Sequence, residues 1–207
     1  MMDAHRFSLF LLAAGILAAT PGPGIFYVLA RTLAGGRREG FYSTLGTFFG
    51  GLLHVFAAAL GVSAILAASA VAFHTVKYAG ALYLVFLGIR MIRSRDGEPG
   101  LATSAPANGA FRQGLLTEAL NPKTALFFLS FIPQFIWPQR GHVFLQFAVL
   151  GLISVSLNTA ADLAVVSLSA RIERKIKTSA RFRRNQRCAS GLGMIGLGAY
   201  LAFSETK

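Results

Sequence analysis

The sequence predicts an all-α integral membrane protein with six transmembrane helices, arranged as two inverted three-helix repeats in which helices 1 and 4 are broken. Three observations support this prediction: an apolar composition, six long apolar segments, and a matching break in the first and fourth of these segments. Hydrophobic residues make up 54% of the 207 residues, and charged residues make up 14%. That balance is too apolar for an ordinary soluble domain and is typical of a chain embedded in lipid.

Each apolar segment contains the ~20 residues that are needed to cross a hydrocarbon layer of ~30 Å. The six segments cover about residues 7–30, 41–68, 71–92, 113–136, 143–169 and 188–204. The sizeable polar link between the third and fourth segments, residues 94–108, is rich in Ala, Pro and Gly, so we expect a flexible loop. The predicted organisation is a first repeat at 1–92, a cytoplasmic loop at 93–112 and a second repeat at 113–207.

The distribution of basic residues predicts how the chain is oriented. A net charge of +12 would suggest a nucleic-acid partner in a soluble protein, but here the basic residues concentrate in short links between apolar segments, so we expect no nucleic acid. Fifteen of the twenty basic residues lie in the first, third and fifth links, residues 31–40, 90–112 and 171–187. The positive-inside rule then puts these links in the cytoplasm and both termini outside the plasma (inner) membrane. The opposite face carries four basic residues, which are Arg6, Lys77, Arg140 and Lys207.

The first segment begins like a signal peptide, because Arg6 precedes an apolar run that leads into small residues. The apolar run continues past Gly24, however, and its removal would destroy the repeat. We therefore predict that this segment is retained as the first span.

Two stretches carry the signature of a helix that stops and restarts inside the membrane. They are Thr20-Pro21-Gly22-Pro23-Gly24 in the first segment and Asn121-Pro122-Lys123 in the fourth. Thr or Asn caps a new helix, and Pro fits its first turn. The starts of the two half-helices would point at each other and offer N–H donors and positive partial charge to a substrate carboxylate. The alternative is a pair of proline kinks that affect only packing.

Three ionisable residues lie in or beside these segments. Lys123, in the first turn of the second half-helix, either holds a substrate carboxylate or extends into an aqueous vestibule. Glu118 lies one turn before the break, where it pairs with Lys123 or a loop arginine, or takes part in proton coupling. Asp162 is the strongest candidate for a functional residue. A carboxylate inside the membrane costs free energy unless it is paired with a cation or hydrated. Asp162 follows Ser154 and Asn158 on one helical face, and we expect it to bind a substrate ammonium group, to carry a proton, or to pair with Lys123 or Asn158.

His54 shares a helical face with Gly46 and Gly50, which predicts a seam of close helix packing. The histidine is a candidate proton relay, although a hydrogen-bonding packing role is the default expectation. The single Cys188 excludes an internal disulfide. We predict no enzyme, no cofactor and no metal site, because phosphate-binding, serine-hydrolase and zinc-protease motifs are absent from the sequence.

The motifs together resemble the lysine-exporter (LysE/RhtB) family over nearly the whole chain. They are TPGP (20–23), GGRREG (35–40), KYAGALYL (77–84), FRQG (111–114), NPK (121–123) and PQF (133–135). Two features depart from the family pattern: Gly24 stands where Asn is usual, and the link 171–187 is more basic than is usual.

The resemblance implies a secondary exporter that moves amino acids or their derivatives out of the cytoplasm in exchange for protons. Two alternatives stay open. One is an exporter of metal ions or other cations, which a lack of clustered carboxylates, histidines or thiols in the spans disfavours. The other is a scaffold that does not transport, whose basic link 171–187 binds a partner or anionic lipid. Assembly into a homo-oligomer is compatible with each.

Overall fold

The structure, a computed structural model, describes residues 4–68, 70–93 and 109–203. The described residues form helices and no strand. The main helices are α1 (Ala4–Ala19), α2 (Pro23–Ala68), α3 (Ala70–Arg93), α4 (Ala110–Ala119), α5 (Pro122–Leu126), α6 (Val143–Thr178) and α7 (Ala180–Phe203). After α5 the chain continues through a π-helical turn, Phe127–Phe131, and two 3₁₀ turns, Ile132–Phe135 and Pro138–Arg140. The predicted flexible loop, residues 94–108, lies outside the described residues.

The helix breaks in the first and fourth apolar segments are confirmed. α1 ends at Ala19 and α2 begins at Pro23, and α4 ends at Ala119 and α5 begins at Pro122. Asn121 caps α5 as predicted, since its backbone is extended and its side-chain oxygen accepts a hydrogen bond from the Lys123 N–H at 3.1 Å. The same prediction for Thr20 is wrong. Its hydroxyl donates to the Ile16 carbonyl at 2.6 Å, so Thr20 belongs to the end of α1.

Two of the predicted cytoplasmic links are largely helical. α2 is interrupted only at Gly36, whose φ of 77° favours glycine, and this position divides it into α2a (23–35) and α2b (37–68). α6 continues to Thr178 and α7 starts at Ala180, so the basic stretch 171–187 is mostly helix rather than loop. Arg, Lys, Glu and Ala are strong helix formers, which lets a helix continue beyond the apolar segment that sequence patterning detects.

Glycines bring helix backbones into close contact, as predicted for Gly46 and Gly50. A Cβ on Gly50 would lie 2.7 Å from the Leu115 carbonyl oxygen, and one on Gly46 would meet the Phe111 carbonyl. These contacts set α2b directly against α4. A Cβ on Gly198 would likewise lie 2.7 Å from the Ala81 carbonyl oxygen, where α7 packs on α3. If a glycine in either contact is replaced by a larger residue, the two helices must separate.

Two buried apolar clusters lie on either side of the helix breaks. The larger one, called here the phenylalanine core, is built on Phe10, Phe127, Phe128, Phe131, Phe135 and Phe147. All six rings are at most 4% exposed, and they pack on one another in edge-to-face, stacked and tilted pairs. The smaller cluster consists of Tyr27, Val28 and Val166. The two helix breaks therefore lie between a large apolar cluster and a small one.

Judged by length and composition alone, two helices of the described part can cross a membrane, Pro23–Gly61 and Val143–Ile172. The helix Ala4–Ala19 is apolar but shorter. Lys77, one of the four basic residues that the sequence assigns to the outer face, is buried, with 2% of its surface exposed.

Candidate functional site

The structure brings the two helix breaks together through Lys123. Lys123 is 6% exposed, and its ammonium group donates to the Leu17 carbonyl at 3.1 Å and to the Thr20 carbonyl at 2.9 Å. Both acceptors belong to the carbonyl end of α1, where a cation is favoured by the helix dipole. Lys123 thus connects the start of α5 to the end of α1. Two of its three N–H donors are engaged by residues that the structure describes.

Glu118 makes the reciprocal connection, from the end of α4 to the start of α2a. A Cβ on Gly24, the second residue of α2a, would lie only 2.6 Å from Glu118 Oε2. Asn121 donates to the same oxygen at 3.0 Å, and Thr124 donates to Oε1 at 2.6 Å. Among the residues that the structure describes, an amide and a hydroxyl hold this buried carboxylate, in place of the expected ion pair with Lys123 or a loop arginine. The start of α5 therefore meets the end of α1, and the start of α2a meets the end of α4. The two starts are also adjacent, because a Cβ on Gly22 would lie 3.2 Å from Lys123 Nζ.

Asp162, on α6, is 5% exposed and accepts a hydrogen bond from the Thr47 hydroxyl at 2.8 Å. In the described part of the chain, the hydrogen-bond partner of Asp162 is therefore Thr47, and not Lys123 or Asn158, the two partners predicted from the sequence. Thr47 lies on α2b, so this bond joins the second helix of one predicted repeat to the second helix of the other.

These groups surround one cavity, called here the central cavity. Its lining residues are Gly24, Ile25, Thr47, Phe48, Gly51, Glu118, Asn121, Lys123, Thr124, Val155, Asn158, Thr159 and Asp162. Its volume is about 20 Å³, which is room for water rather than for an amino acid. Of the predicted stripe on α6, Asn158 and Asp162 line the cavity. Ser154 instead bonds to its own helix, at the Leu150 carbonyl.

Charges of both signs therefore meet in one small and deeply buried space. Two carboxylates and one ammonium group line it, together with amide and hydroxyl groups. The first residues of α2a add backbone N–H groups, at Gly24 and Ile25, that have no partner within their helix. Such an arrangement can bind both ends of a zwitterion.

Comparison with known proteins places the chain in a family. A family model described as LysE type translocator matches residues 15–205. The chain belongs to this family. It is similar to an uncharacterized membrane protein of Vibrio cholerae, at 32% identity over 99% of this chain and 100% of the relative, and to one of Pseudomonas aeruginosa, at 34% identity over 93% of each chain. It is also similar to a leucine efflux protein of Klebsiella pneumoniae, at 29% identity over 93% of this chain and 92% of the relative. No solved structure matches significantly.

In this LysE type translocator, buried residues lie one helical turn beyond the central cavity on both sides. Towards Gly36, Tyr27 and Val166 follow Gly24 and Asp162 by three and four positions, and the Tyr27 hydroxyl donates to the Ala110 carbonyl at 2.7 Å. A partly buried ion pair between Arg31 and Glu39 lies further along α2. The opposite side is filled by the phenylalanine core. The described conformation is therefore a closed one.

His54 does not line the central cavity. Its Nε2 lies 2.8 Å from the backbone carbonyl oxygen of Glu118, and its ring packs on Phe128. This is the contact expected of a hydrogen-bonding packing residue at the end of α4. The proposed relay role of His54 would therefore have to act through Glu118.

Sequence reasoning missed three polar residues of the translocator site, Thr47, Thr124 and Thr159. Each lies next to a residue that was singled out, which is Gly46, Lys123 or Asn158. The available signal was a hydroxyl within an apolar segment. Such hydroxyls usually bond to their own helix, and which ones face a cavity depends on helix rotation, which a single sequence does not fix.

Proposed function

We propose that this translocator exports amino acids, or derivatives of them, from the cytoplasm by exchange with protons. The observation that carries the proposal is the buried meeting of Lys123, Glu118 and Asp162 around the central cavity at two helix breaks. Intramembrane ionisable groups are costly, so they mark sites of binding or proton transfer. Membership of a translocator family and similarity to a leucine efflux protein support the same function.

The proposed architecture is six spans in two inverted repeats. The first repeat consists of α1 with α2a, α2b and α3, and the second of α4 with α5, α6 and α7. Three contacts support a two-fold relation between them: Lys123 joins α5 to α1, Glu118 joins α4 to α2a, and Thr47 with Asp162 joins the second helices. Broken helices in corresponding positions are a feature of transporters built in this way.

The zwitterionic part of the substrate fits the charges of the central cavity. The substrate ammonium group would bind to Asp162, with Asn158 beside it, and the carboxylate would bind to the third N–H of Lys123 and to the N–H groups at the start of α2a. The cavity must widen to admit it, because about 20 Å³ holds only water. The remaining residues of the two breaks act by shaping the backbone there. They are Thr20, Pro21, Gly22, Pro23, Gly24, Asn121 and Pro122.

The apolar part of the lining favours a substrate with an apolar side chain. Ile25, Phe48 and Val155 face the cavity between the charged groups. An aliphatic side chain buried against them gains ~25 cal/mol for each Å² removed from water. We therefore propose leucine and similar neutral amino acids as the first substrates to test.

Proton exchange is assigned to Asp162, with Glu118 as the second carboxylate of the cavity. A proton that arrives from outside would neutralise Asp162 and so release the substrate ammonium group. The emptied, protonated carrier would return and lose the proton to the cytoplasm. Because this single carboxylate carries the proton, one proton enters the cell for each substrate molecule that leaves.

The test is efflux from proteoliposomes that are preloaded with single amino acids, with and without a proton gradient. We expect selective efflux of neutral apolar amino acids that rises when the gradient is imposed and is insensitive to chelators. Absence of efflux for every amino acid, from protein shown to be folded, would contradict the proposal and favour a scaffold that acts through residues 171–187. Chelator-sensitive efflux of a cation would favour the metal exporter, although the ammonium group of Lys123 repels a bound cation.

A further inference from the structure

Two similar stretches of five residues occur on the second helices of the two proposed repeats. GLLHV (51–55) lies on α2b and GLISV (151–155) lies on α6, and they share Gly, Leu and Val at the same places. The two stretches are 100 positions apart along the chain, and the two helix breaks, at Pro21 and Pro122, are 101 positions apart. The stretches therefore occupy equivalent places in the two repeats.

The two stretches lie against each other in a reciprocal contact. A Cβ on Gly51 would lie 3.1 Å from Val155 Cγ2, and a Cβ on Gly151 would lie 2.9 Å from Val55 Cγ1. Both valines are at most 2% exposed. A contact in which each glycine meets the valine of the equivalent stretch is characteristic of a two-fold axis. Such an axis would pass between α2b and α6 midway along the two stretches.

Other equivalent helices meet at about the same spacing. A Cβ on Gly88 of α3 would lie 2.5 Å from the Gly191 carbonyl oxygen on α7, and a Cβ on Gly191 would lie 2.6 Å from the Gly88 carbonyl oxygen. These two glycines are 103 positions apart. Gly22 and Lys123, at the adjacent starts of the two half-helices, are 101 positions apart. One two-fold axis through the bundle accounts for all three contacts.

The interface of α2b with α6 differs on the two sides of the reciprocal contact. Thr47, one turn before the first stretch, donates to Asp162 and lines the central cavity. The equivalent position before the second stretch is Phe147, a fully buried residue of the phenylalanine core. One side is therefore polar and the other is apolar.

A contact near the axis is special in a transporter built from inverted repeats, which opens to each side by rocking one repeat against the other. Two repeats that are related by a two-fold axis reach the second open state by exchanging their conformations, so each contact is replaced by its equivalent. A contact on the axis is its own equivalent and keeps its length. The bond of Thr47 to Asp162 has Phe147 at the equivalent of Thr47, so it must change.

We propose that the contact of residues 51–55 with residues 151–155 is the pivot of the transport cycle. α2b and α6 stay together at the pivot, and the two ends of this interface separate alternately. Glycine opposite valine suits this role, because a close apolar contact has no hydrogen bond to break when the helices tilt. The pivot presupposes the export cycle proposed above.

A disulfide across the pivot should be tolerated. The variant is Val55→Cys/Gly151→Cys in a Cys188→Ser background, which removes the two valine methyls that a Cβ at position 151 would meet and leaves the cavity lining unchanged. We expect oxidation to change gradient-driven leucine efflux from proteoliposomes by less than about twofold, relative to the same protein after reduction, because the linked atoms need not separate.

The matched control is a disulfide between the repeats but away from the axis. A Cβ on Gly193 of α7 would lie 2.8 Å from Ile16 Cγ2 of α1. The equivalent contact would join Thr117 to Arg93, and Arg93 is exposed at the end of α3. Oxidation of Ile16→Cys/Gly193→Cys should therefore lower efflux at least ~tenfold, and reduction should restore it.

Nitroxide labels on exposed residues measure the same motion without filling the contact. One labelled pair is Leu53 with Leu152, at the pivot, and the other is Tyr42 with Leu163, which lies 11 positions further along the same two helices, or ~16 Å. We expect the dipolar broadening of the second pair to change between acidic and alkaline buffer and on addition of leucine, and that of the first pair to stay constant.

Loss of efflux on oxidation of the pivot disulfide, or equal tolerance of both disulfides, would overturn the proposal. So would a change in the broadening of the Leu53 and Leu152 pair, or constant broadening of both pairs. Failure of the proposed export is a separate result, since it would appear as absence of efflux from the wild-type protein, and the label distances do not depend on efflux.

Discussion

At the scale of single residues, the site is organised by contacts that place a charge at the end of a helix. Lys123 lies at the carbonyl end of α1, and Glu118 lies beside Gly24 at the amino end of α2a. Each charge has the sign that the adjacent helix end favours. The residues at the two breaks therefore stabilise each other even when no substrate is bound.

The absence of a side chain at position 24 makes room for the carboxylate of Glu118. Gly24→Ala should lower the efflux rate about tenfold, because a Cβ there would meet Glu118 Oε2 and overpacking costs about 1–3 kcal/mol. Initial efflux rates from proteoliposomes measure this effect. The control is Gly15→Ala on α1, where a Cβ meets nothing within 4 Å. Equal rates for Gly24→Ala and Gly15→Ala would show that the position of Glu118 does not matter.

Thr47 is a positioning residue for Asp162. Thr47→Val keeps the shape but removes the hydroxyl that donates to Asp162, and a buried acceptor that loses its donor costs about 1–3 kcal/mol. We expect the gradient-driven part of efflux to fall roughly tenfold and Thr47→Ser to restore it. The ratio of efflux with and without the proton gradient is the readout. A purely structural role would lower both rates alike and leave that ratio unchanged.

At the scale of elements, the helices follow from the sequence and their mutual rotation does not. Proline and asparagine mark the start of α5, and apolar runs mark the long helices. The partners of Asp162 and Glu118 were not predictable, because they depend on which faces of α2b, α4 and α6 meet. The sequence did not predict that α6 and α7 extend through residues 171–187. The apolar pattern marks only the part of a helix that lies in lipid, so it does not detect a helix that continues beyond it.

The contact of α2b with α4 depends on glycine. Gly50→Ala would bring a Cβ within 2.7 Å of the Leu115 carbonyl oxygen, so the two helices must separate. We expect a loss of about 1–3 kcal/mol in stability. Thermal unfolding in detergent, compared with Gly61→Ala on the same helix, measures it. A Cβ on Gly61 meets nothing within 4 Å, and if both variants unfold at the same temperature, the seam is not a tight one.

At the scale of the whole molecule, the phenylalanine core and the smaller cluster of Tyr27, Val28 and Val166 enclose the breaks from opposite sides. The smaller cluster lies towards Gly36, the end that charge distribution assigns to the cytoplasm. Fewer apolar contacts must separate there, so we expect the central cavity to open more readily to the cytoplasm, from which an exporter takes its substrate.

The proposed orientation predicts which cysteines an impermeant maleimide can reach in intact cells. In a Cys188→Ser background, Gln139→Cys should be labelled from outside, because residue 139 lies in the exposed turn before α6. Arg38→Cys, on the exposed surface beside the Gly36 break, should react only after permeabilisation. If Arg38→Cys were labelled from outside and Gln139→Cys only after permeabilisation, the protein would have the inverted topology. If both were labelled from outside, the proposed topology would be excluded.

The central claim is that the central cavity is the transport site and that Asp162 couples substrate to protons. Its most direct test is the gradient-driven efflux of leucine from proteoliposomes that contain Asp162→Asn. The control is Ser154→Ala, since Ser154 is buried on the same helix two turns away and does not line the cavity. We predict that Asp162→Asn folds but loses the response to the proton gradient, while Ser154→Ala keeps it. A wild-type response in Asp162→Asn would contradict the claim.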